Sequence, residues 1–177
     1  IGVAGVINGT RLMYAPNIPY LKNFDFKTLS LPARLGVDND ARTFARAEVW
    51  LGAGRKARRV LAVTIGTGIG RACADHGRVQ VIKRFEHAEP WEREYQRLRD
   101  RGDTRALTAF LGEQLAAIVR RYKPDVVILG GGVLGRRGFT QRLKAAFVAN
   151  GVQANVCRGR LGRNAAAIGS ALLFRNR

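Results

Sequence analysis

The stretch from residue 60 to residue 70, VLAVTI followed by GTGIG, indicates the fold of this chain. Its first half is a run of β-branched and aliphatic residues, which is typical of a buried strand. The glycines at 66, 68 and 70 let the backbone turn sharply and approach a ligand without interference from side chains. Consecutive backbone N–H groups in such a turn suit phosphate oxygens, and the Thr67 hydroxyl is an additional donor. An ordinary β-hairpin explains the same pattern, and the residues alone leave both interpretations open.

A second glycine cluster follows another apolar run. Residues 124–129 (PDVVIL) lead directly into Gly130, Gly131 and Gly132. Three glycines after a strand leave room for a flat or charged ligand against bare backbone. The pattern therefore predicts that Gly131→Val blocks a ligand sterically while leaving the fold largely intact.

Three polar side chains, Asp38, Asn39 and Asp40, come immediately before a helix expected over residues 41–51. A carboxylate at a helix N-terminus is stabilised by capping and by the helix dipole. An N-cap role for Asp38 or Asp40 is therefore the structural alternative to a chemical role for this cluster.

Apolar runs and helical periodicities alternate along the chain, which predicts an α/β layered domain with mixed strand pairing. Turns are expected at Asn8-Gly9 and at residues 75–77. Strands are expected over residues 1–7, 33–37, 60–65, 69–74, 78–84, 125–129 and 152–157. Helices are expected over residues 25–29, 41–51, 90–102, 107–122, 138–149 and 163–174.

The composition is that of a globular protein with an unusual charge. The 177 residues are 46% hydrophobic, and 31 Lys and Arg against 13 Asp and Glu give a formal net charge of +18. Such a charge favours an anionic partner such as nucleic acid, but the arginines are scattered and no basic segment is interleaved with aromatics. Solvation of the surface by arginine is the preferred interpretation. No apolar run has the length of a membrane span, so we expect no membrane association.

Five motifs occur in an order that resembles the ROK family, which comprises sugar kinases and related repressors of the actin and hexokinase-like superfamily. In chain order they are PN-x-P at 16–19, VDNDAR at 37–42, L-x-VTIGTGIG at 61–70, PDVVILGGGV at 124–133 and LGRNAAAIGSALL at 161–173. A chance match to one motif is easy, whereas an ordered match to all five is a specific signal.

The resemblance implies a role for particular residues. Asp40 would be the general base that accepts the proton of a sugar hydroxyl. Two asparagines, Asn39 and Asn17, would contact the sugar. Two glycine clusters would bind ATP, with the phosphates at Gly66, Thr67 and Gly68 and the adenosine at Gly130, Gly131 and Gly132.

The resemblance also implies the architecture, an actin/hexokinase-like (ribonuclease H-like) mixed-sheet lobe with flanking helices. Residues 1–40 would end an N-terminal lobe that is largely absent, and residues 41–177 would form the C-terminal nucleotide-binding lobe. The family's Asp-x-Gly-Gly-Thr phosphate loop has no counterpart before Ile1. Its zinc segment has none either, because Cys73 and Cys157 are far apart and lack metal-ligand neighbours. We therefore expect no zinc.

The leading functional hypothesis is an ATP-dependent sugar kinase of ROK type, or the C-terminal portion of one. Its cofactors would be ATP and Mg²⁺, and its partners would be a sugar and a nucleotide. The protein would be a cytoplasmic homo-oligomer. The rival hypothesis is a non-catalytic relative that binds sugar or nucleotide for regulation. A kinase that uses polyphosphate would account for the positive charge but has no motif of its own in this sequence.

Overall fold

A computed structural model describes residues 1–16, 18, 20–31 and 34–175. The strands in this part of the chain are β1 (Gly2–Val3), β2 (Val6–Asn8), β3 (Arg11–Tyr14), β4 (Phe24–Asp25), β5 (Asp38–Asn39), β6 (Arg59–Ile65), β7 (Ile69–Asp75), β8 (Arg78–Val79), β9 (Val126–Gly130) and β10 (Asn155–Arg158). The α-helices are α1 (Asp40–Trp50), α2 (Glu92–Arg101), α3 (Thr104–Tyr122), α4 (Phe139–Ala149) and α5 (Ala165–Ala171). Short 3-10 helices cover Phe26–Leu29, Lys83–Glu86, Gly132–Gly135, Gly162–Asn164 and Leu172–Phe174.

A five-stranded mixed sheet in the order β10-β9-β6-β7-β8 forms the centre of the fold. Strands β10, β9 and β6 are parallel, and β6, β7 and β8 are antiparallel. Successive side chains of β6 face opposite sides of the sheet, so Leu61 and Val63 pack in the core with α3 and α4, while Val60 and Ala62 pack with α1. The predicted α/β fold with helices flanking a mixed sheet is confirmed.

The N-terminal segment adds two small sheets. Strands β2, β3 and β4 form an antiparallel sheet whose first hairpin turns after Asn8 at Gly9, as the sequence predicts. One face of this sheet covers a separate apolar cluster around Leu12 and Phe26. Strands β1 and β5 pair in parallel and lead the chain into α1.

Two predicted strands in the N-terminal segment are wrong in extent. The strand expected over residues 1–7 is broken at Gly5, whose φ of +145° and close approach to the Tyr14 carbonyl exclude an ordinary strand conformation. The strand expected over residues 33–37 is replaced by β5 at Asp38–Asn39, because β1 offers only two residues for pairing. Ala33 lies outside the described residues, and residues 34–37 are not in a strand.

Three predicted elements in the rest of the chain are shifted or shortened. The strand expected over residues 78–84 ends at Val79, because Lys83 and Glu86 turn back in a 3-10 helix to bind the backbone of Ile7. The last strand begins three residues later than expected, and the last helix is a short α-helix between two 3-10 turns. The division of the chain into lobes at residue 40 stays a prediction.

Glu48 anchors α1 to two loops. Its side chain is fully buried and accepts hydrogen bonds from the backbone N–H groups of Ala53, Arg160 and Leu161 at 2.8–3.0 Å. These loops follow α1 and β10, so a single carboxylate connects the helix that begins at Asp40 to the carboxyl end of the sheet. No helix among the described residues is long and apolar enough to cross a membrane.

We expect Glu48→Gln to destabilise the protein by about 1–3 kcal/mol, because the amide group replaces an acceptor with a donor that faces another backbone donor. Denaturant unfolding measures the change. Glu113→Gln, at an exposed site on α3, is the matched control and should unfold like the parent. Equal unfolding midpoints for all three proteins would show that Glu48 does not hold these loops.

Candidate active site

A cavity of about 350 Å³ brings together most of the residues that the sequence singles out. The sequence-predicted residues in its lining are Asn39, Asp40, Gly66, Thr67, Gly68 and Gly131. Gly130 and Gly132 adjoin Gly131 in the chain but are not among the described residues that line the cavity. Asn17 lies outside the described residues, although its neighbour Pro16 is part of the lining. Segments far apart in sequence thus meet at one concave site.

Asp40 is the first residue of α1, and its carboxylate is only partly engaged. Its Oδ1 accepts a hydrogen bond from the backbone N–H of Ala41 at 2.8 Å. Its Oδ2 has no hydrogen-bond or ion-pair partner among the described residues. Burial raises the pKa of Asp40 above its ordinary value of 3.8, against the opposing effects of backbone N–H donors and the Arg42 charge. The site therefore contains a carboxylate with one unused oxygen and an increased affinity for a proton.

Asn39 is the N-cap of α1. Its Oδ1 accepts from the backbone N–H groups of Ala41 and Arg42 at 3.0 and 3.4 Å, and its Nδ2 donates to the Gly5 carbonyl at 3.0 Å. The capping role considered for Asp38 or Asp40 therefore belongs to Asn39. One hydrogen of the Asn39 amide remains available toward the cavity.

Behind these residues lies a buried ion network. Arg42 contacts Asp38 through Nε and Glu86 through Nη1, and Arg46 binds the second oxygen of Asp38 at 2.7 Å. Glu86 also accepts from the backbone N–H of Ile7 at 3.0 Å. Asp38 thus holds two arginines and does not cap α1, and Glu86 links the cavity wall to β2.

The turn between β6 and β7 is a short hairpin loop closed by a hydrogen bond from the Gly66 N–H to the Gly68 carbonyl at 3.0 Å. The N–H groups of Thr67 and Gly68 have no acceptor within the part of the chain that the structure describes. A Cβ on Gly66 would contact nothing within 4 Å, and one on Gly68 would meet only Glu92 at 3.7 Å. Because the protein itself leaves this space open, the glycines keep the backbone accessible from the cavity.

The backbone conformation at position 131 requires glycine, whether or not a ligand binds there. Its φ of 97° and ψ of 162° lie in a region adopted almost only by glycine. A Cβ there would lie 2.3 Å from the Ile65 carbonyl oxygen, because the end of β9 passes against β6. The prediction that Gly131→Val leaves the fold largely intact is therefore wrong. A Cβ on Gly130 would press on the Phe44 ring, whereas the position at Gly132 is open.

One wall of the cavity contains charged residues that sequence reasoning missed or ranked low. Arg71 lies on β7, is 2% exposed, and binds Glu92 at 2.9 Å and the His87 carbonyl at 2.7 Å. Burial lowers the pKa of Arg71, and the nearby Glu92 and Glu89 charges oppose that shift. An arginine between the small apolar residues of a buried strand requires a carboxylate partner, and this was the signal that could have identified Glu92. Glu86 and His87 complete this wall.

Metal ligands do not cluster in the described ranges. No group of three or more His, Cys, Asp and Glu side chains there is arranged to hold a metal ion. Cys73 and Cys157 are both free thiols, and burial raises their pKa values. The expectation of no zinc stays a prediction.

Comparison with known proteins shows a similarity to one family. The ROK family model matches residues 1–81. The structure superposes on the ROK hexokinase of Thermus thermophilus with a TM-score of 0.76 and 26% sequence identity, covering 97% of this chain and 76% of that one. The chain is therefore similar to the ROK family, through the family model over its first 81 residues and through the fold of a ROK hexokinase over nearly its whole length.

Two further proteins are similar to this chain. A glucokinase of Thermotoga maritima is 40% identical over 68 residues, which are 36% of this chain and 21% of the glucokinase. The matched segment thus spans about a fifth of that curated relative. A ROK family glucokinase of Streptomyces griseus, solved with glucose and AMPPNP, has the same fold, with a TM-score of 0.82, 20% identity, and coverage of 98% of this chain and 80% of that one.

We expect Gly131→Ala to destabilise the protein by about 3 kcal/mol or more, because it combines an unfavourable backbone conformation with a collision against the backbone of Ile65. Thermal unfolding measures the effect. Gly132→Ala, where the added methyl group meets open space, is the control and should change the melting temperature little. Equal melting temperatures for the two variants would show that the chain at position 131 does not pack closely enough against Ile65 to exclude a methyl group.

We expect Asp40→Asn to stabilise the protein at neutral pH. The folded-state pKa of Asp40 is raised, so the carboxyl group favours folding below its unfolded-state pKa, and this contribution is lost as pH rises through the folded-state pKa. The advantage of the uncharged variant should therefore grow over that interval and then level off. Melting temperatures across a pH series test this.

Asp125→Asn is the control, and its expected change in stability at neutral pH is opposite to that of Asp40→Asn. The backbone N–H of Arg59 lowers the pKa of Asp125, so this carboxylate favours folding at neutral pH and the contribution is lost on acidification. Asp125→Asn should consequently be less stable than the parent at neutral pH. A parallel response of the two variants would contradict the assignment for Asp40.

Proposed function

We propose that the protein is an ATP-dependent sugar kinase in which Asp40 is the general base. The observation that carries this proposal is the cavity itself, which is lined by Asp40, Thr67 and Gly68. Among the described residues, Oδ2 of Asp40 has no partner and the N–H groups of Thr67 and Gly68 have no acceptor. Phosphoryl transfer depends mainly on positioning and charge stabilisation, with one group to accept the proton of the attacking hydroxyl.

Asp40 is the carboxylate of this cavity best suited to that task. Glu86 and Glu92 also line the cavity, but the carboxylate of each is held by a buried arginine. Asp40 has no such partner among the described residues, and its raised pKa brings it closer to the pH at which a general base works best. The geometry and the protonation chemistry favour the same residue.

The sugar would bind next to Asp40. The remaining amide hydrogen of Asn39 can donate to a sugar hydroxyl, and the imidazole of His87, which also lines the cavity, can donate or accept. Asn17 keeps its proposed place at the edge of the sugar pocket on the resemblance alone. In this arrangement Asn39 both caps α1 and orients the substrate, so the helix start and the sugar site are formed by one side chain.

The nucleotide would bind with its phosphates at Gly66, Thr67 and Gly68 and its adenosine toward Gly130, Gly131 and Gly132. Its terminal phosphate would then face Asp40 across the cavity. The names of the relatives support ATP as the donor, since they include a hexokinase and a glucokinase crystallised with AMPPNP. Mg²⁺ would be held largely by phosphate oxygens and water, because the charged Glu side chains of the cavity are already paired.

We expect Asp40→Asn to lower kcat by a factor of about 10² to 10⁴, since the amide keeps the shape of the side chain but cannot accept the proton. Sugar affinity should change far less. Steady-state kinetics with ATP, Mg²⁺ and a panel of hexoses and amino-hexoses measures both quantities. A loss of activity together with a gain in stability would show that the Asp40 carboxylate is needed for catalysis and not for folding.

The matched control is Asp75→Asn, a half-buried position at the end of β7 that contacts His76 and lies outside the cavity lining, which should retain the parental kcat. Asp38→Asn is unsuitable, because Asp38 holds both Arg42 and Arg46. Parental kcat in Asp40→Asn would show that Asp40 is not the base. A parent that binds sugar but phosphorylates none of the panel would instead favour the regulatory function.

A further inference from the structure

The back of the β6–β7 turn is held by two side chains of α2. The Tyr95 hydroxyl donates to the Gly66 carbonyl at 2.5 Å. Arg99 Nη1 donates to the Gly66 carbonyl at 3.4 Å and also contacts the Thr67 carbonyl. The Arg99 guanidinium lies 5.7 Å from the centre of the Tyr95 ring, so the two side chains form one cluster.

These contacts determine where the turn's N–H groups point. In a planar trans peptide the C=O and the following N–H point in opposite directions. Holding the Gly66 carbonyl toward α2 therefore directs the Thr67 N–H away from α2, and holding the Thr67 carbonyl directs the Gly68 N–H the same way. These are the two N–H groups that lack an acceptor among the described residues. Thr67 and Gly68 both line the cavity.

The same cluster connects the two glycine segments. Arg136, which follows the 3-10 helix Gly132–Gly135, donates from Nη2 to the backbone carbonyl of Arg99 at 2.7 Å. The segment after β9 thus supports the helix residue whose side chain holds the turn after β6. Arg99 therefore contacts both the turn after β6 and the segment that follows β9.

We propose that Tyr95 and Arg99 are positioning residues that orient the Thr67 and Gly68 N–H groups for the phosphates of a nucleotide. This inference rests on the proposed kinase function and adds to it a support on α2. The two residues act through the turn and not on the reacting atoms. Donors fixed before the ligand arrives bind it without the cost of ordering the loop.

The properties of Tyr95 fit this role. Its side chain is fully buried, and its ring packs in the core with α3. Burial raises the pKa of Tyr95 to about 12, with Arg99 opposing the shift, so the hydroxyl remains a donor throughout the physiological range. A buried tyrosine hydroxyl needs a partner in any case, and a merely structural role would place it against the same carbonyl. Binding measurements separate the two roles.

The experiment compares three ligands that differ in their phosphates: Mg²⁺-ADP, inorganic tripolyphosphate and adenosine. Calorimetry gives their affinities for the parent protein, Tyr95→Phe, Arg99→Gln and Arg99→Lys. Tyr95→Phe is the most informative variant because it removes one hydrogen bond without changing charge or packing volume. Arg97→Gln is the control, since Arg97 lies on the same helix but is exposed and pairs with Glu94.

In Tyr95→Phe and Arg99→Gln we expect affinity for Mg²⁺-ADP and tripolyphosphate to fall about tenfold, the effect of losing one good hydrogen bond. Affinity for adenosine and the melting temperature should stay near parental values. Arg99→Lys should recover part of the loss, because lysine keeps the charge and can reach one carbonyl. Arg97→Gln should bind all three ligands like the parent.

Three results would overturn the proposal. Parental affinity for both phosphate ligands in Tyr95→Phe and Arg99→Gln would refute the positioning role and leave the kinase function standing. An equal loss for all three ligands, adenosine included, would indicate a general distortion of the site. A parent that binds neither Mg²⁺-ADP nor tripolyphosphate would refute both the positioning role and the proposed function.

Discussion

The buried pairing of Arg42 with Asp38 and Glu86 is the interaction on which the rest of the site depends. It joins the start of α1, the strand that leads into it and the 3-10 helix after β8, and Glu86 extends the connection to the backbone of Ile7. Removing one member of such a network leaves a buried charge without compensation, which typically costs about 3–5 kcal/mol. Because Asn39 and Asp40 lie between Asp38 and Arg42 in the chain, the network also determines where their side chains stand. The N-terminal end of α1, where the proposed general base lies, is thereby fixed by the charges of this network.

The net charge of +18 has a consequence for the acidic residues. With arginines so abundant, most carboxylates of the described chain are engaged by a cation, and two others serve backbone N–H groups, Glu48 in the core and Asp103 as the cap of α3. Asp40 differs from these because it is in a cavity and keeps one oxygen unused. An excess of positive charge therefore makes a carboxylate without a cation uncommon among the described residues, and the one that lines the cavity lies where the family resemblance places the general base.

Sequence reasoning predicted the long elements well, because β6, β9, α1 and α3 carry strong apolar patterns that neighbouring segments do not override. It failed where pairing depends on a distant partner. The strand expected over residues 78–84 ends early because Glu86 binds Ile7, a contact between residues 79 positions apart. In the site, the glycine motifs and Asp40 were visible as local patterns, and all of them except Gly130 and Gly132 line the cavity. Glu86 and Arg71 were not visible in this way, since their roles arise from ion pairs that form only in the folded protein. The role of Gly131 was misjudged because its positive φ is a property of the backbone path and not of the motif.

Glu48 shows how one position can be strictly constrained while its partners are not. Its three hydrogen bonds come from backbone N–H groups, so they do not depend on which side chains residues 53, 160 and 161 carry. Any residue except proline supplies the same donor. The hydrogen bonds that attach these two loops to α1 therefore place no requirement on the side chains of the three donors, although Ala53 and Leu161 also pack against the apolar core. The attachment depends on a single buried carboxylate, and a change at position 48 would release both loops together.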